Sequence, residues 1–499
     1  MIKFFKYILV AAGVSMLMVS CSKWLEVKPQ DGIIRDDYWK TKEQFEAAVI
    51  GCYSSLLDNA LVTDLFVWGE LRADMVVSTL NTPVDAVNIM QDNILSSNSF
   101  TDWSAVYRTI NNCNTVIEYG PTVIKNDPTL TVTQQNAWLA EAYALRGLMY
   151  FYLLRTFREV PLQLTATSTD NQVQLLAKSP EDSVYSQIIS DLKFAEQNAV
   201  ETYGVTATDK GRITKNTVFA IEADAYLWEN KYDSCAAACD SIINSQRLGL
   251  VPSTLSQESW FNTLYYNGNS TESIFEFQFD AQALNPFYNM FTSSTAQYNA
   301  STTYLGNDIY GLDLSGLQRD IRGDGGSYAA AGGTLIKYAG ATGGTSITLR
   351  TQALSYAHWI VYRYADVLLM KAEAMAYLNR GGESLQLIQT IRNRGQAIDL
   401  TAETPDSTAA DDVARYVLDE RAREFSFEGK RWYDLLRYAK RNNYANIDAL
   451  GQAAIVNAPA YLIQTILNKF KDVNSHYLPI SQDELQADPK LVQNPYYGK

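Results

Sequence analysis

Acidic side chains recur at a four-residue spacing near the C-terminus of the chain, where two carboxylates could form a general acid–base pair. Glu420, Glu424 and Glu428 share one face of a predicted helix, and Asp434 follows after Gly429. A catalytic carboxylate needs an apolar setting without a cationic partner, but basic residues lie among these acids: Arg421, Arg423, Lys430, Arg431 and Arg437. We therefore predict no catalytic residue here but a structural clamp that holds a helical hairpin. The clamp consists of Glu424, Glu428, Arg431, Asp434 and Arg437.

Other arrangements that support catalysis or metal binding are missing from the sequence. The two histidines, His358 and His476, lie in unrelated contexts, and no nucleophile-elbow, zinc-protease, P-loop or dinucleotide-binding motif occurs. Because the cysteines after Cys21 lack histidine partners, we interpret them as small buried apolar residues: Cys52, Cys113, Cys235 and Cys239. We therefore predict a protein without catalytic activity, metal or cofactor.

Aromatic residues are a better guide to function, since the chain contains 32 Tyr, 18 Phe and 9 Trp. A sugar presents apolar C–H faces and a ring of hydroxyl groups, so its site needs flat aromatic surfaces beside short polar side chains. On this basis the predicted ligand-binding residues are Arg72, Asp74, Asn81, Trp260, Tyr265, Tyr266, Phe287, Tyr288, Tyr298 and Tyr304. Packing in the core remains the alternative role for each of them.

The N-terminus has the form of a secretory signal. Lys3 and Lys6 precede an apolar run over 7–19, which is too short for a membrane span and ends at Ser20-Cys21. We predict a lipoprotein signal peptide over 1–20, cleaved before Cys21, with the lipid on Cys21 and a tether over 21–37. The net charge of −14 argues against nucleic acid as a partner, because nucleic-acid binding needs clustered Lys and Arg.

Helical periodicity dominates the remainder of the chain. A helix is predicted over 41–58 with Thr41 as its N-cap, and another over 102–119. Two stretches, about 137–245 and about 359–441, contain helices with small residues on one face, joined by short breaks. The predicted pairs cover 137–157 with 181–199, both halves of 216–243, both halves of 362–395, and 411–428 with 430–441, the last hinged at Gly429. This pattern is typical of degenerate tetratricopeptide-type repeats.

A different composition interrupts the helices over about 250–357. This block is rich in Gly, Ser, Thr, Asn and Tyr, and it contains β-like pieces such as 273–279. Since it is too long for a plain loop, we predict a loop-rich, ligand-binding subdomain laid over the helices. The fold class is therefore mainly α, with one domain over 38–499 that contains four helix pairs and short β pieces.

Six segments, in order, resemble one known family. They are "CSKWLEVKPQDGIIRDDYWKTKEQFEAAVIGCYSSL" (21–56), "WSAVYRTINNCNTVIE" (103–118), "ESIFEFQF" (272–279), "WIVYRYADVLLMKAEAMAY" (359–377), "ERAREFSFEGKRWYDLLRYAK" (420–440) and "YLPISQDELQADPKLVQNPYY" (477–497). The chain is similar along nearly its full length to the SusD/RagB family of Bacteroidetes outer-membrane nutrient-binding lipoproteins, the relatives of the starch-utilisation system.

The resemblance implies a function as well as a fold. It implies four tetratricopeptide-like units, outward display on the outer membrane through the lipid of Cys21, and a SusC-like TonB-dependent transporter as partner. The implied function is the capture of oligosaccharides for import, without catalysis. Capture of peptides and a helical scaffold for protein interactions are the alternatives. The family's binding residues lie on variable loops, so the aromatic set above rests on composition and not on the resemblance.

Overall fold

The computed structural model describes residues 38–252, 254–292, 294–313, 319–342 and 347–498. The predicted signal peptide over 1–20, Cys21 and the tether over 21–37 lie outside these residues. Among the described residues, no helix is both long and apolar enough to cross a membrane.

Four helices form the N-terminal part of the described chain. They are α1 (Lys42–Leu56), α2 (Asn59–Glu70), α3 (Val84–Met90) and α4 (Ser104–Tyr119). Thr41 caps α1 as predicted, because its hydroxyl accepts from the Gln44 backbone N–H while the Gln44 side chain accepts from the Thr41 N–H. The predicted helices over 41–58 and 102–119 are thus confirmed within two residues at each end.

Longer helices follow in pairs, with one short helix among them. The helices are α5 (Val132–Phe157), α6 (Glu181–Asn198), α7 (Thr206–Gly211), α8 (Lys215–Trp228), α9 (Tyr232–Asn244), α13 (Tyr364–Tyr377), α14 (Gly381–Gly395), α15 (Ala410–Phe425) and α16 (Arg431–Tyr444). The pairs α5–α6, α8–α9, α13–α14 and α15–α16 each pack together, which confirms the four predicted pairs. At Gly147 of α5 the two helices are close enough that a Cβ would be in van der Waals contact with Leu192 of α6, at 3.5 Å.

The block between α9 and α13 contains short elements, as its composition predicted. Its helices are α10 (Gln257–Phe261), α11 (Phe287–Phe291) and α12 (Thr302–Tyr304), with π-helical segments over Asn262–Tyr266 and Leu305–Ile309. Six short strands form three antiparallel pairs: β1 (Val76–Ser78) with β3 (Tyr298–Ala300), β2 (Ser273–Phe277) with β6 (Trp359–Arg363), and β4 (Gly340–Thr342) with β5 (Ile347–Leu349). The first pair connects the block to the N-terminal helices, and the second connects it to α13.

Three further helices end the chain: α17 (Ile447–Ile455), α18 (Ile463–Lys469) and α19 (Gln482–Ala487). One cluster of buried apolar side chains runs through the described residues from Trp39 to Leu491. Cys52, Cys113, Cys235 and Cys239 are buried free thiols within it, as predicted.

Two glycines bring the end of α2 against the hinge between α15 and α16. A Cβ at Gly69 would lie 1.9 Å from the Gly429 carbonyl oxygen, so no side chain fits between the two backbones. Gly429 has a φ of 71°, which is left-handed backbone and favours glycine. The neighbouring Glu70 carboxylate accepts the Gly429 N–H at 2.8 Å. The predicted hinge at Gly429 is therefore also a contact point with the N-terminal helices.

Candidate functional site

A buried network of ion pairs surrounds the predicted clamp. Glu424 is paired with Arg322 at 2.8 Å and also contacts Arg363 and Arg394. Glu428 accepts from Lys337 at 2.9 Å and from two nitrogens of Arg363 at 2.9 and 3.1 Å. These side chains are almost completely shielded from solvent, so each charge is compensated inside the protein.

The partners of the clamp differ from those that the sequence suggested. Of the three clamp carboxylates, only Asp434 is paired with arginines of the hairpin itself, Arg421 at 2.8 Å and Arg437 at 2.9 Å. Glu424 and Glu428 are held by residues of the loop-rich block, β6 and α14, because the nearer bases have other partners: Arg423 donates to Glu420 and to the Ile309 carbonyl, and Lys430 donates to Asp366. The network therefore attaches the hairpin to the rest of the fold, not only its two helices to each other.

The electrostatics of the clamp are those of ionised carboxylates. Burial alone would raise the pKa of Glu428, but Arg363 and Lys337 outweigh burial and lower that pKa to about 2. The pKa of Glu424 is also lowered, since Arg394, Arg363 and Arg322 together outweigh its burial. A general acid needs a raised pKa, so these carboxylates fit the structural role that the sequence predicted for them.

Acid is therefore expected to destabilise the protein through this network. The pKa of Glu428 in the folded chain, about 2, lies below its ordinary value of 4.5. Its ion pairs thus stabilise the fold fully above about pH 4.5, and the contribution is lost as the pH falls towards about 2. Urea unfolding measured across this range should show a shallower loss of stability for Glu428→Gln than for the wild type. The exposed Glu43→Gln should follow the wild type, and identical curves for all three proteins would contradict this assignment.

Most of the predicted ligand-binding aromatics lie in the core. Trp260, Tyr265, Phe287 and Tyr298 are each at most 1% exposed. The Phe287 ring stacks on Tyr338 and Trp359 with centroid distances of 5.2 and 5.1 Å. These side chains offer no surface to a ligand in this conformation. The structure thus gives these four residues the alternative role, packing in the core, because their aromatic faces contact other buried rings.

Three other members of the predicted set also lie apart from any common site. Arg72 is buried, where it pairs with Asp92 at 2.6 Å and donates to the Ser475 and His476 carbonyls. Asn81 is exposed on the turn after β1. The half-buried Tyr266 ring lies beneath the Arg350 guanidinium at 4.5 Å. Arg72 therefore holds the C-terminal segment, and neither Asn81 nor Tyr266 faces the cleft described next.

Asp74 and Tyr304 do come together, at the floor of a cleft of about 500 Å³ between α12, α15, α16, α17 and the segment just before β1. The Tyr304 hydroxyl donates to the Asp74 carboxylate at 2.8 Å. Arg431 of the clamp donates to both oxygens of the same carboxylate, from Nε at 3.0 Å and from one Nη at 2.6 Å. The tenth predicted residue, Tyr288, is half-buried elsewhere. Three residues of this lining were therefore named from the sequence. Asp74 and Tyr304 were predicted as ligand-binding residues, and Arg431 was predicted as part of the clamp.

The remaining lining residues were missed by the sequence prediction. Polar or aromatic side chains among them are Arg415, Tyr438, Asn446, Asp448 and Gln452, beside the aliphatic Leu418, Leu435, Ala449, Ala453 and Val456. The lining therefore mixes apolar surface with hydrogen-bonding groups. One donor is unused: the Asn446 side-chain nitrogen is buried and has no hydrogen-bond partner among the described residues.

A left-handed turn precedes these missed residues. Asn442, Asn443 and Tyr444 have φ values of 48°, 57° and 64°, and they interrupt the helical backbone near the end of α16. Such conformations cost free energy for residues with a Cβ, and asparagine tolerates them better than most. The turn redirects the chain so that Asn446 and α17 face the cleft. The adjacent asparagines were the sequence signal that could have indicated it.

A second groove of about 380 Å³ lies on another face, between the loop after α5 and α19. Trp103, Tyr107, Leu175, Leu176 and Leu491 make much of its lining apolar. Val173 and Leu175 are exposed beside it. Since more of its accessible lining is apolar than polar, whereas the two are balanced in the cleft at Asp74, this groove suits a hydroxyl-rich ligand less well.

Comparison with known families identifies the chain. A family described as "SusD family" matches residues 254–497, and one described as "Starch-binding associating with outer membrane" matches residues 23–227. SusD-like protein P38 of Formosa agariphila is 27% identical over 475 residues, covering 87% of this chain and 90% of that protein. A SusD-like protein of Bacteroides ovatus is 26% identical, covering 88% of this chain and 84% of that one.

Solved structures show the same fold. A SusD superfamily protein from Bacteroides vulgatus superposes with a TM-score of 0.72 at 21% identity, over 92% of this chain and all of that one. B. fragilis NanU superposes with a TM-score of 0.67 at 21% identity, over 95% of this chain and all of that one. These structures share the mainly helical fold of this chain. The chain belongs to the SusD/RagB family.

Proposed function

We propose that this protein is a non-catalytic binding lipoprotein, anchored to the outer membrane through Cys21 and facing outward. It captures oligosaccharides and delivers them to a SusC-like TonB-dependent transporter. Membership of the SusD/RagB family and the description of its N-terminal match as starch-binding and associating with the outer membrane support this proposal. The lipid anchor rests on the sequence of the first 21 residues.

The cleft at Asp74 is the structural feature that supports ligand binding in this proposal. Sugars bind where apolar or aromatic faces meet directed hydrogen-bond donors and acceptors, and this lining combines Tyr304, Tyr438 and aliphatic side chains with several polar groups. The salt bridge of Arg431 and Asp74 fixes the floor, so little ordering is needed on binding. The Asn446 amide nitrogen has no partner among the described residues and is shielded from solvent, and a turn of this side chain toward the cleft would let it donate to a ligand hydroxyl.

Truncation of the cleft donor is expected to weaken binding. Asn446→Ala removes a hydrogen bond to the ligand, and Tyr304→Ala removes an aromatic face, so each should reduce oligosaccharide affinity by about tenfold, which corresponds to about 1.4 kcal/mol. Isothermal titration calorimetry of the purified protein against a panel of oligosaccharides measures this effect. Tyr461→Ala is the matched control, because Tyr461 is 78% exposed and lies outside the cleft lining.

The same titrations separate the glycan proposal from its alternatives. Binding of peptides but of no oligosaccharide would indicate peptide capture, as would a loss of peptide affinity in Asn446→Ala. If neither class of ligand binds and the variants remain folded, the proposal that the cleft binds a ligand is wrong. The helical scaffold for protein interactions is then the favoured alternative. Thermal unfolding of each variant shows whether a loss of affinity comes from the cleft or from a loss of folded protein.

A further inference from the structure

The charges around the cleft point to the class of oligosaccharide that it takes. We infer that the cleft binds uncharged oligosaccharides and discriminates against those that carry carboxylate or sulfate groups. This inference rests on the proposed function, since it specifies the ligand of the same cleft.

Arg431, the cation at the floor of the cleft, is already occupied. Its Nε and one Nη bind the two Asp74 oxygens, at 3.0 and 2.6 Å, and its other Nη donates to the Leu418 carbonyl at 3.4 Å. The recognition of an anionic sugar normally uses an arginine whose paired donors are free for the ligand. Here the donors of Arg431 are used inside the protein, and its charge is neutralised by Asp74.

Arg415, the other cation of the lining, is paired with a neighbour through one of its nitrogens only. It lies on α15, where its Nε contacts the Asp419 carboxylate at 3.2 Å, while its side chain is about half exposed and its two Nη have no hydrogen-bond partner among the described residues. Burial and Asp74 raise the pKa of Tyr304 at the cleft, and the Asp419 charge adds a smaller contribution in the same direction. The cleft therefore has no net positive charge from its two arginines.

Asp448 adds a negative charge that nothing nearby balances. It lines the cleft in the first turn of α17 and has no hydrogen-bond or ion-pair partner among the described residues. Its carboxylate also counters the partial positive charge at the N-terminus of α17, which would otherwise favour an anion. At the cleft the carboxylates of Asp74, Asp419 and Asp448 outnumber the guanidinium groups of Arg415 and Arg431, and this excess of negative charge opposes an anionic ligand.

The groups that remain free match hydroxyls. The two Nη of Arg415 can donate to a sugar oxygen, the Asn446 amide can do so once its side chain turns toward the cleft, and Asp448 can accept from a sugar O–H. A hydroxyl performs both functions, whereas a carboxylate or sulfate only accepts and would be repelled by Asp448. Uncharged sugars can therefore form hydrogen bonds with both the donors and the acceptor of the cleft, whereas the acidic group of an anionic sugar cannot donate to Asp448.

Native affinity electrophoresis of the purified protein tests this inference. The gels contain either uncharged polysaccharides (starch, mannan, xylan, mixed-linkage glucan) or anionic ones (polygalacturonate, alginate, carrageenan). We expect retardation by at least one uncharged polysaccharide and by none of the anionic ones. Retardation of the wild type by an anionic polysaccharide overturns the inference and leaves the proposed glycan capture intact. Retardation by no polysaccharide overturns both.

A charge-reversal variant tests whether the cleft itself causes the discrimination. Asp448→Lys is expected to bind an anionic polysaccharide at least tenfold more tightly than Glu43→Lys does. The control makes the same change of net charge in the first turn of α1, outside the cleft lining. If the two variants bind the anionic polysaccharides equally, the charge at the cleft does not select the ligand and the inference is wrong.

Discussion

Arg363→Ala is expected to lower the free energy of unfolding by about 4 kcal/mol, because removal of one partner strands buried charges. Arg363 is fully buried, and its guanidinium is shared by three carboxylates: it contacts Glu272 at 2.7 Å, Glu428 at 2.9 Å, and Glu424. Without it Glu428 keeps Lys337, but Glu272 loses its closest cation. Urea unfolding followed by circular dichroism measures the change.

The control for this variant is an arginine in an ion pair on the surface. Arg380 binds Glu383 through two nitrogens, at 2.6 Å each, but both side chains are about half exposed. Solvent screens such a pair, so Arg380→Ala should leave the free energy of unfolding nearly unchanged. Equal losses in the two variants would mean that burial of the network is not what makes Arg363 important.

Gly69→Ala is expected to destabilise the protein by about 3 kcal/mol or more, because the new methyl group would overlap backbone atoms. The added Cβ would lie 1.9 Å from the carbonyl oxygen and 2.3 Å from the carbonyl carbon of Gly429. A flexible side chain could move aside, but Gly429 is fixed at the hinge between α15 and α16 and by its bond to Glu70. Denaturant unfolding or loss of soluble expression would show the effect.

Gly51→Ala is the matched control, since both glycines lie within helices. A Cβ at Gly51 would meet no atom within 4 Å. This substitution should raise the free energy of unfolding by roughly 0.5–1 kcal/mol, because alanine has a higher helix propensity than glycine. If Gly69→Ala proves as stable as Gly51→Ala, the close contact of α2 with the hinge does not exist in solution.

Local patterns predicted the helices well, because the signals for a helix lie within the helix itself. The small residues of α5, the break at Asn230 and the capping box at Thr41 all act between residues a few positions apart. The partners of Glu424 could not be found in this way. Arg322, Arg363 and Arg394 reach it from three separate elements, and only the assembled fold brings them together.

The candidate site was predicted only in part, for a related reason. Composition cannot distinguish an aromatic residue that packs from one that contacts a ligand, so Trp260 and Phe287 were included although both are buried. Asp74 and Tyr304 were included as well, and they meet at the cleft. Asn446 and Asp448 were missed because their approach depends on the left-handed turn at Asn442 and Asn443, which has no hydrophobic periodicity.

The contacts at the end of α2 also determine the order in which the molecule can assemble. Glu70 and Gly429 are 359 positions apart, Asp74 and Arg431 are 357 apart, and Arg72 and His476 are 404 apart. Closing such large loops costs chain entropy that is recovered only when the distant partner arrives, and non-local topology slows folding. The floor of the cleft therefore forms only after the last seventh of the chain, which contains Arg431, has packed against the N-terminal helices. A chain that ends before Arg431 would lack the cleft, however many of its helices had formed.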